Sequence, residues 1–129
     1  MALSEEKKRR CAVTDTRTAS ETIREEVTSW PGVDVDTEEL GELAFNVGER
    51  QIGHLHGDSA AHFSFPRRLW SELMEQGRIV PHPVFPDARQ GPAARRIKDE
   101  EDVRDVIELL RLNYDRIVAR NGLPPDAAA

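Results

Sequence analysis

Three short segments in the middle of the chain alternate apolar residues with polar or small ones. They cover residues 43–47, 50–56 and 60–65, and glycine turns beginning at Gly48 and Gly57 separate them. Period-two alternation bounded by such turns is typical of β-strands joined as hairpins. We therefore predict an antiparallel meander at the centre of the chain, and the remaining segments must pack around it.

Helical patterns lie on both sides of this meander. Apolar residues recur at helical spacing in residues 16–30, 66–77 and 99–121. Residues 78–92 carry four prolines, so we expect an irregular excursion there, followed by a short strand at 93–97. The predicted fold class is α+β, with an antiparallel meander sheet of about four strands packed against about three helices.

The bulk properties indicate one domain. The chain has 129 residues, and we place the domain at 16–120, with disordered tails at 1–15 and 121–129. No apolar run approaches the length that crosses a bilayer, and Cys11 is the single cysteine. The basic cluster near the N-terminus is followed by polar residues, not by the apolar segment of a signal peptide. These features predict a cytoplasmic protein with no membrane partner.

The segment IGHLHGD, residues 52–58, holds two of the four histidines. Side chains two residues apart on a strand share a face, so His54 and His56 point the same way. A three-residue loop after His56 places His62 directly opposite His54, with Cβ atoms about 5 Å apart. We therefore predict a face of three histidines, with Ser64 beside it.

The length of the turn after Val47 decides where this face points. A two-residue loop sets Phe45 opposite Ile52 and places the histidines on that partly buried side. A three-residue loop instead joins Phe45 to the face of Leu55 and leaves the histidines on the opposite face. We favour the two-residue loop.

The histidines allow several kinds of site. His54, His56 and His62 can act as ligands of a divalent metal such as Zn²⁺ or Fe²⁺, the one cofactor that the sequence suggests. Together with Ser64 and His82, which lies in the proline-rich excursion, they can also line a pocket for another ligand. Half-buried strand histidines bonded to nearby carbonyls are the plain structural alternative.

Two more specific patterns involve the same histidines. Gly48 followed by His54-x-His56 resembles the start of the cupin metal motif, but alanines stand at 60 and 61, where that motif has its glutamate. We therefore reject a cupin. An acid–base pair, with Asp58 orienting His56 as a general base, remains a candidate for catalysis.

The net charge of −6 argues against nucleic acid as a partner, because such binding draws most of its affinity from neutralised phosphates. Two arginine pairs, Arg67-Arg68 and Arg95-Arg96, form basic patches that keep weak nucleic-acid binding as an alternative. The sequence leaves the partner itself open between a small ligand and a protein, and it does not define an oligomeric state.

An ordered set of motifs resembles one protein family. The most specific are IGHLHGD at 52–58, FPRRL at 65–69 and the leucine-rich stretch that ends NYDR at 113–116. Over residues 28 to 118 the chain is similar to the luciferase-domain family of small proteins. Members usually have a serine-glycine-tryptophan stretch after a proline-aspartate, whereas Pro86-Asp87 here is followed by ARQGPAARRI, without a tryptophan. The resemblance implies no catalytic residue or cofactor that can be transferred.

These observations give a leading functional hypothesis. We expect a small binding or interaction module of the luciferase-domain type, with a histidine-lined pocket or patch. The first alternative is an enzyme that uses a histidine-bound metal or a His–Asp acid–base pair. The second is weak nucleic-acid binding through the arginine pairs. Whether the chain is an enzyme stays open at this point.

Overall fold

A computed structural model describes residues 17–125. The predicted tail at 1–15, and the end of the one predicted at 121–129, lie outside the described residues. The helices are α1 (Ala19–Thr28), α2 (Arg67–Glu75) and α3 (Glu100–Asn121). The strands are β1 (Val33–Thr37), β2 (Leu43–Val47), β3 (Arg50–His56), β4 (Ala60–Phe65), β5 (Val80–Pro81) and β6 (Gly91–Arg96), and a 3₁₀ turn covers Glu39–Gly41.

The strands form a single antiparallel sheet in the order β1-β2-β3-β4-β6-β5. The α+β class is confirmed, but the sheet has six strands where about four were predicted. The two extra strands lie at the edges and have weak sequence patterns. β1 contains Asp34 and Asp36, and aspartate has a low strand propensity. β5 is two residues long and includes Pro81, which cannot donate a backbone hydrogen bond.

The helix ends follow the capping chemistry of the sequence. The side chain of Thr18 accepts a hydrogen bond from the backbone N–H of Glu21, and Asp99 caps α3 in the same way. Gly77, with φ +73°, closes α2 as predicted, and the N–H of Arg78 returns to the carbonyl of Leu73. No helix in the described part of the chain is long and apolar enough to cross a membrane.

The hydrophobic core lies between the sheet and the helices. Phe45, Leu55 and Phe63 extend from the sheet into this layer, and each is at most 4% exposed. The helices contribute Ile23, Val27, Val106, Leu109, Leu110, Tyr114 and Ile117. The Tyr114 hydroxyl donates to the carbonyl of Pro31, so its polar end is satisfied inside the core.

A β-bulge in β3 sets the direction of the histidines. The turn after Val47 has two residues, as predicted, because Val47 pairs with Arg50. The register then shifts, and Phe45 lies opposite Gly53 instead of Ile52. The prediction that the histidines share the face of Phe45 was therefore wrong. The inserted residue, Ile52, is fully buried, so burial of its side chain in the core accompanies the shift.

The buried amide of Asn113 holds this irregular region together. Hydrogen-bonded pairing of β3 with β4 runs from His56 only to His54, and in the same register Ile52 would lie opposite Ser64. At that point Asn113, which is fully buried, donates its two N–H groups to the carbonyls of Ile52 and Ser64, each at 3.0 Å. A side chain of α3 thus replaces the backbone hydrogen bonding of one residue pair between β3 and β4.

Gly53 lets α3 approach the bulge. A Cβ atom at this position would lie 2.5 Å from Leu110 Cδ2 and 3.1 Å from the carbonyl oxygen of His62. Both distances are shorter than van der Waals contact, and Leu110 is fully buried and has little freedom to move. The glycine therefore serves close packing between strand and helix.

Replacing Asn113 by leucine tests the role of the amide. Asn113→Leu keeps the approximate size but leaves two buried carbonyls without donors, and we expect the free energy of unfolding to fall by about 2–4 kcal/mol. Urea denaturation measures this change. The matched control is Asn121→Leu near the exposed end of the same helix, where we expect a loss below about 1 kcal/mol. Equal losses in the two variants would contradict the assignment.

Candidate functional site

The histidines lie on the sheet face opposite the core. One row of paired residues crosses the sheet from β1 to β5, and it consists of Asp36, Ala44, His54, His62, Ala94 and Val80. The alanines on either side of the two histidines are small and nearly fully buried. They leave room for the imidazole rings to lie over the sheet and contact one another.

All four histidines of the chain gather at this place. The structure brings His54, His56 and His62 together as the sequence predicts, and one ligand nitrogen from each lies within 4.8 Å of the others. The Nε2 atoms of His54 and His56 are 3.0 Å apart. The ring centroids of His56 and His62 are separated by 4.0 Å, and His82 lies against His62 at 4.1 Å. We call these four residues the histidine cluster.

The Nδ1 atoms of two rings point out of the cluster and contact side-chain oxygen atoms. His54 Nδ1 lies 2.8 Å from Gln51 Oε1, and His56 Nδ1 lies 3.2 Å from Glu42 Oε1. Each Nδ1 can therefore donate outward while each Nε2 points into the cluster. This arrangement fixes the orientation of both rings.

Glu42 and Gln51 are site residues that sequence reasoning missed. Without a bulge, the two-residue turn would put Glu42 opposite Leu55, on the wrong face of the sheet. The bulge moves the register by one residue, so that Leu43 pairs with Leu55 and Glu42 comes beside His56. A carboxylate just before a strand was the available signal, and it could be used only with the register known.

A small cavity opens beside the cluster. Its volume is about 200 Å³. Four of the predicted site residues, His54, Ser64, His62 and His82, line it together with Phe63, Phe85, Gln51, Gly53 and Pro92. The proline-rich excursion forms one wall, because His82 pairs with Phe85 in a tight turn and its Nδ1 accepts from the N–H of Val84 at 3.1 Å. The cavity has room for a ligand of a few atoms or for water.

Burial and repulsion from neighbouring histidines favour the neutral form of His54, His62 and His82. Burial, followed by the charge of His56, lowers the pKa of His62 from 6.5 to about 4, and His82 and His54 act in the same direction. Burial also lowers the pKa of His54 and of His82. For His54 the carboxylates of Glu42 and Glu38 oppose this effect without reversing it.

The remaining candidates from the sequence lie in other surroundings. The Asp58 carboxylate accepts from the backbone N–H of Ser20 at 2.9 Å, which lowers its pKa, whereas the carboxylate that contacts His56 is Glu42. Arg95 lies within 2.6 Å of both Asp102 and Asp105, so its charge is already paired.

The other arginines of the predicted patches are more open. Arg68 pairs weakly with Glu72 on the surface of α2, and Arg67 and Arg96 are exposed. Arg95 and Arg96 also point to opposite faces of β6, since neighbours in a strand alternate. The structure therefore does not bring the two arginine pairs into one fully unpaired patch.

The lowered pKa of His62 predicts a loss of stability in mild acid for the metal-free protein. Between pH 6.5 and about 4 the unfolded chain binds a proton at this residue while the folded chain does not, so falling pH lowers the free energy of the unfolded state relative to the folded state. Above pH 6.5 both states are neutral and the contribution is constant. Urea denaturation with a chelator present should show the decline, and His62→Gln should reduce it. An identical decline in the variant would contradict this assignment.

Comparison with known proteins adds the family. The family model described as the Luciferase domain matches residues 49–113, just over half of the chain. No curated protein and no solved structure matches the chain. The matched region runs from the turn before β3 into α3 and includes the four histidines and Asn113. The motif resemblance is thus confirmed, and the chain belongs to the luciferase-domain family.

Proposed function

We propose that the protein is a small metal-binding module in which His54, His56 and His62 hold a divalent transition-metal ion. The observation that carries this proposal is the direction of the ring nitrogens. Two Nε2 atoms converge on one point while both Nδ1 atoms face oxygen acceptors, and His62 lies alongside. Metal-binding histidines characteristically have this outer support.

The spacing of the nitrogens suits a metal ion. A tetrahedral zinc ion with bonds of about 2.0–2.1 Å holds its ligand nitrogens about 3.3 Å apart. The Nε2 atoms of His54 and His56, at 3.0 Å, are close to this value. A small rotation of the His62 ring, whose ligand nitrogen lies within 4.8 Å of the others, would complete a three-histidine site.

The protonation state of the ring nitrogens also favours binding of a cation. If both rings are neutral and both Nδ1 atoms donate outward, His54 Nε2 and His56 Nε2 are unprotonated, and their lone pairs face each other at 3.0 Å. A metal ion bound by both lone pairs would relieve this repulsion. Burial keeps His54 and His62 in the neutral form that binds metal, and Glu42 would offset part of the ion's charge.

Three protein ligands leave a coordination position for a further ligand. The cavity of about 200 Å³ lies against His54 and His62, so a water molecule or a small ligand could occupy that position. We therefore propose a binding module whose small ligand coordinates the ion. This same arrangement, an ion with three histidines and an exchangeable position, can activate water, which makes metal-assisted hydrolysis the second candidate function.

Cobalt(II) provides the test, because its visible spectrum reports a tetrahedral histidine site. We expect metal-free protein to bind one equivalent of Co²⁺ with an intense visible absorption, and Zn²⁺ to displace it. His62→Gln should weaken binding by more than roughly a hundredfold, since loss of a ligand exceeds the cost of losing an outer partner. A spectrum like that of aqueous Co²⁺ with the wild-type protein would refute the proposal.

Glu42 allows a separate test of the outer support. We expect Glu42→Gln to weaken Co²⁺ binding by roughly ten- to a hundredfold, because the amide offers His56 Nδ1 a poorer acceptor than the carboxylate. Isothermal titration calorimetry measures the affinity. Glu39→Gln, the same change in an exposed residue of the neighbouring 3₁₀ turn, is the control for net charge. Equal weakening by both variants would assign the effect to long-range charge alone.

A further inference from the structure

A second cavity lies next to the histidine cluster and has a different chemistry. Its volume is about 460 Å³, within the range of about 300–1,000 Å³ common for ligand sites. Three arginines line it: Arg50 from β3, and Arg116 and Arg120 from α3. The remaining lining residues are Glu49, Gln51, Ser64, Ile117 and Asn121.

Arg116 is held rigidly without being neutralised. Its Nε and Nη2 groups donate to Asn113 Oδ1 at 3.2 and 3.0 Å, so the guanidinium is fixed by an amide oxygen instead of a carboxylate. Burial lowers the pKa of Arg116, and the charges of Arg120 and Arg50 add to this effect. The two charges that act on this group after burial are thus both cationic.

None of the three arginines has a carboxylate partner in the described part of the chain. Within residues 17–125, none of them has a carboxylate oxygen within 4.0 Å, although Glu49 lines the same cavity. In contrast, Arg78, Arg95 and Arg111 are all paired with acids. A protein with a net charge of −6 therefore places at one cavity three cations that have no carboxylate partner among residues 17–125.

The helix dipole accounts for only part of this arrangement. Arg116 and Arg120 lie in the last turns of α3, where the negative end of the dipole favours cations. Arg50 is the first residue of β3, and a strand has no comparable dipole that would stabilise its charge. Its convergence on the same cavity indicates a site for a negative group that all three guanidinium groups can contact.

We propose that this cavity binds the phosphate or carboxylate group of a small anionic ligand, with Arg50, Arg116 and Arg120 as its contacts. Guanidinium groups donate paired hydrogen bonds to the oxygens of such groups, and the preset orientation of Arg116 reduces the entropy lost on binding. The anion site does not depend on a metal ion in the histidine cluster.

The position of the cavity relates the anion to the histidines. Gln51 and Ser64 line both this cavity and the one beside the cluster, where β3 and β4 part. A ligand anchored by its anionic group to the arginines could thus extend toward His54. If the proposed function holds, the ligand of the metal ion is accordingly a small molecule with a phosphate or carboxylate group.

Calorimetric titration at low salt tests the site with inorganic phosphate and, separately, with acetate. We expect saturable binding of at least one of the two anions. Arg50→Gln and Arg120→Gln should each weaken it by roughly tenfold, as expected for one charge-assisted contact. Both arginines are exposed, so the variants should fold, which circular dichroism verifies. Arg24→Gln on α1 is the matched control for charge and should change the affinity by less than about twofold.

Two results would overturn the proposal. One is the lack of saturable binding of either anion up to about 10 mM, which corresponds to less than about 3 kcal/mol of binding free energy. The other is equal weakening by Arg24→Gln, which would mean attraction to overall charge instead of a site. Cobalt binding should be unchanged in Arg50→Gln, so failure of the anion site and failure of the metal site are distinguishable.

Discussion

The side-chain amide of Asn113 donates hydrogen bonds to two strand carbonyls at a point where the sheet's own backbone pairing has stopped. One carbonyl belongs to β3 and the other to β4, and the amide oxygen accepts from Arg116. Because a buried carbonyl without a donor is costly, this contact allows the strands to part inside the protein. The bulge at Ile52, the approach of α3 over Gly53 and the two cavities all lie around this contact.

The bulge gives the histidines their position. Residues on a strand alternate between faces, so one inserted residue in β3 sends Ile52 and Leu55 into the core and His54 and His56 to the other face. That face is partly covered by the proline-rich excursion, which brings His82 against His62. The resulting environment is sheltered enough to lower the pKa of His54, His62 and His82, yet a cavity of about 200 Å³ remains beside them. Such a combination is what the proposed metal site requires.

The two cavities are lined by side chains of different chemistry. Imidazole nitrogens on one side are suited to a cation, and guanidinium groups without a carboxylate partner in the described part of the chain are suited to an anion on the other. Asn113 connects them physically, because the same amide closes the gap between the strands and orients Arg116. The luciferase-domain match covers the four histidines, Arg50 and Asn113, whereas Glu42, Arg116 and Arg120 lie outside it.

The sequence by itself determined the helices, the central meander and the grouping of His54 with His56 and His62, since local periodicity, capping residues and turn length act over a few residues. It also placed His82 within reach of them. It did not determine the face on which they lie, because a two-residue turn and a bulge leave the same alternating pattern as other registers. Only the tertiary structure decided that register, through burial of Ile52 and the reach of Asn113 from a distant helix. For the same reason Glu42, Gln51 and the arginine cavity, whose members meet only when β3 and α3 pack together, could not be found from local pattern.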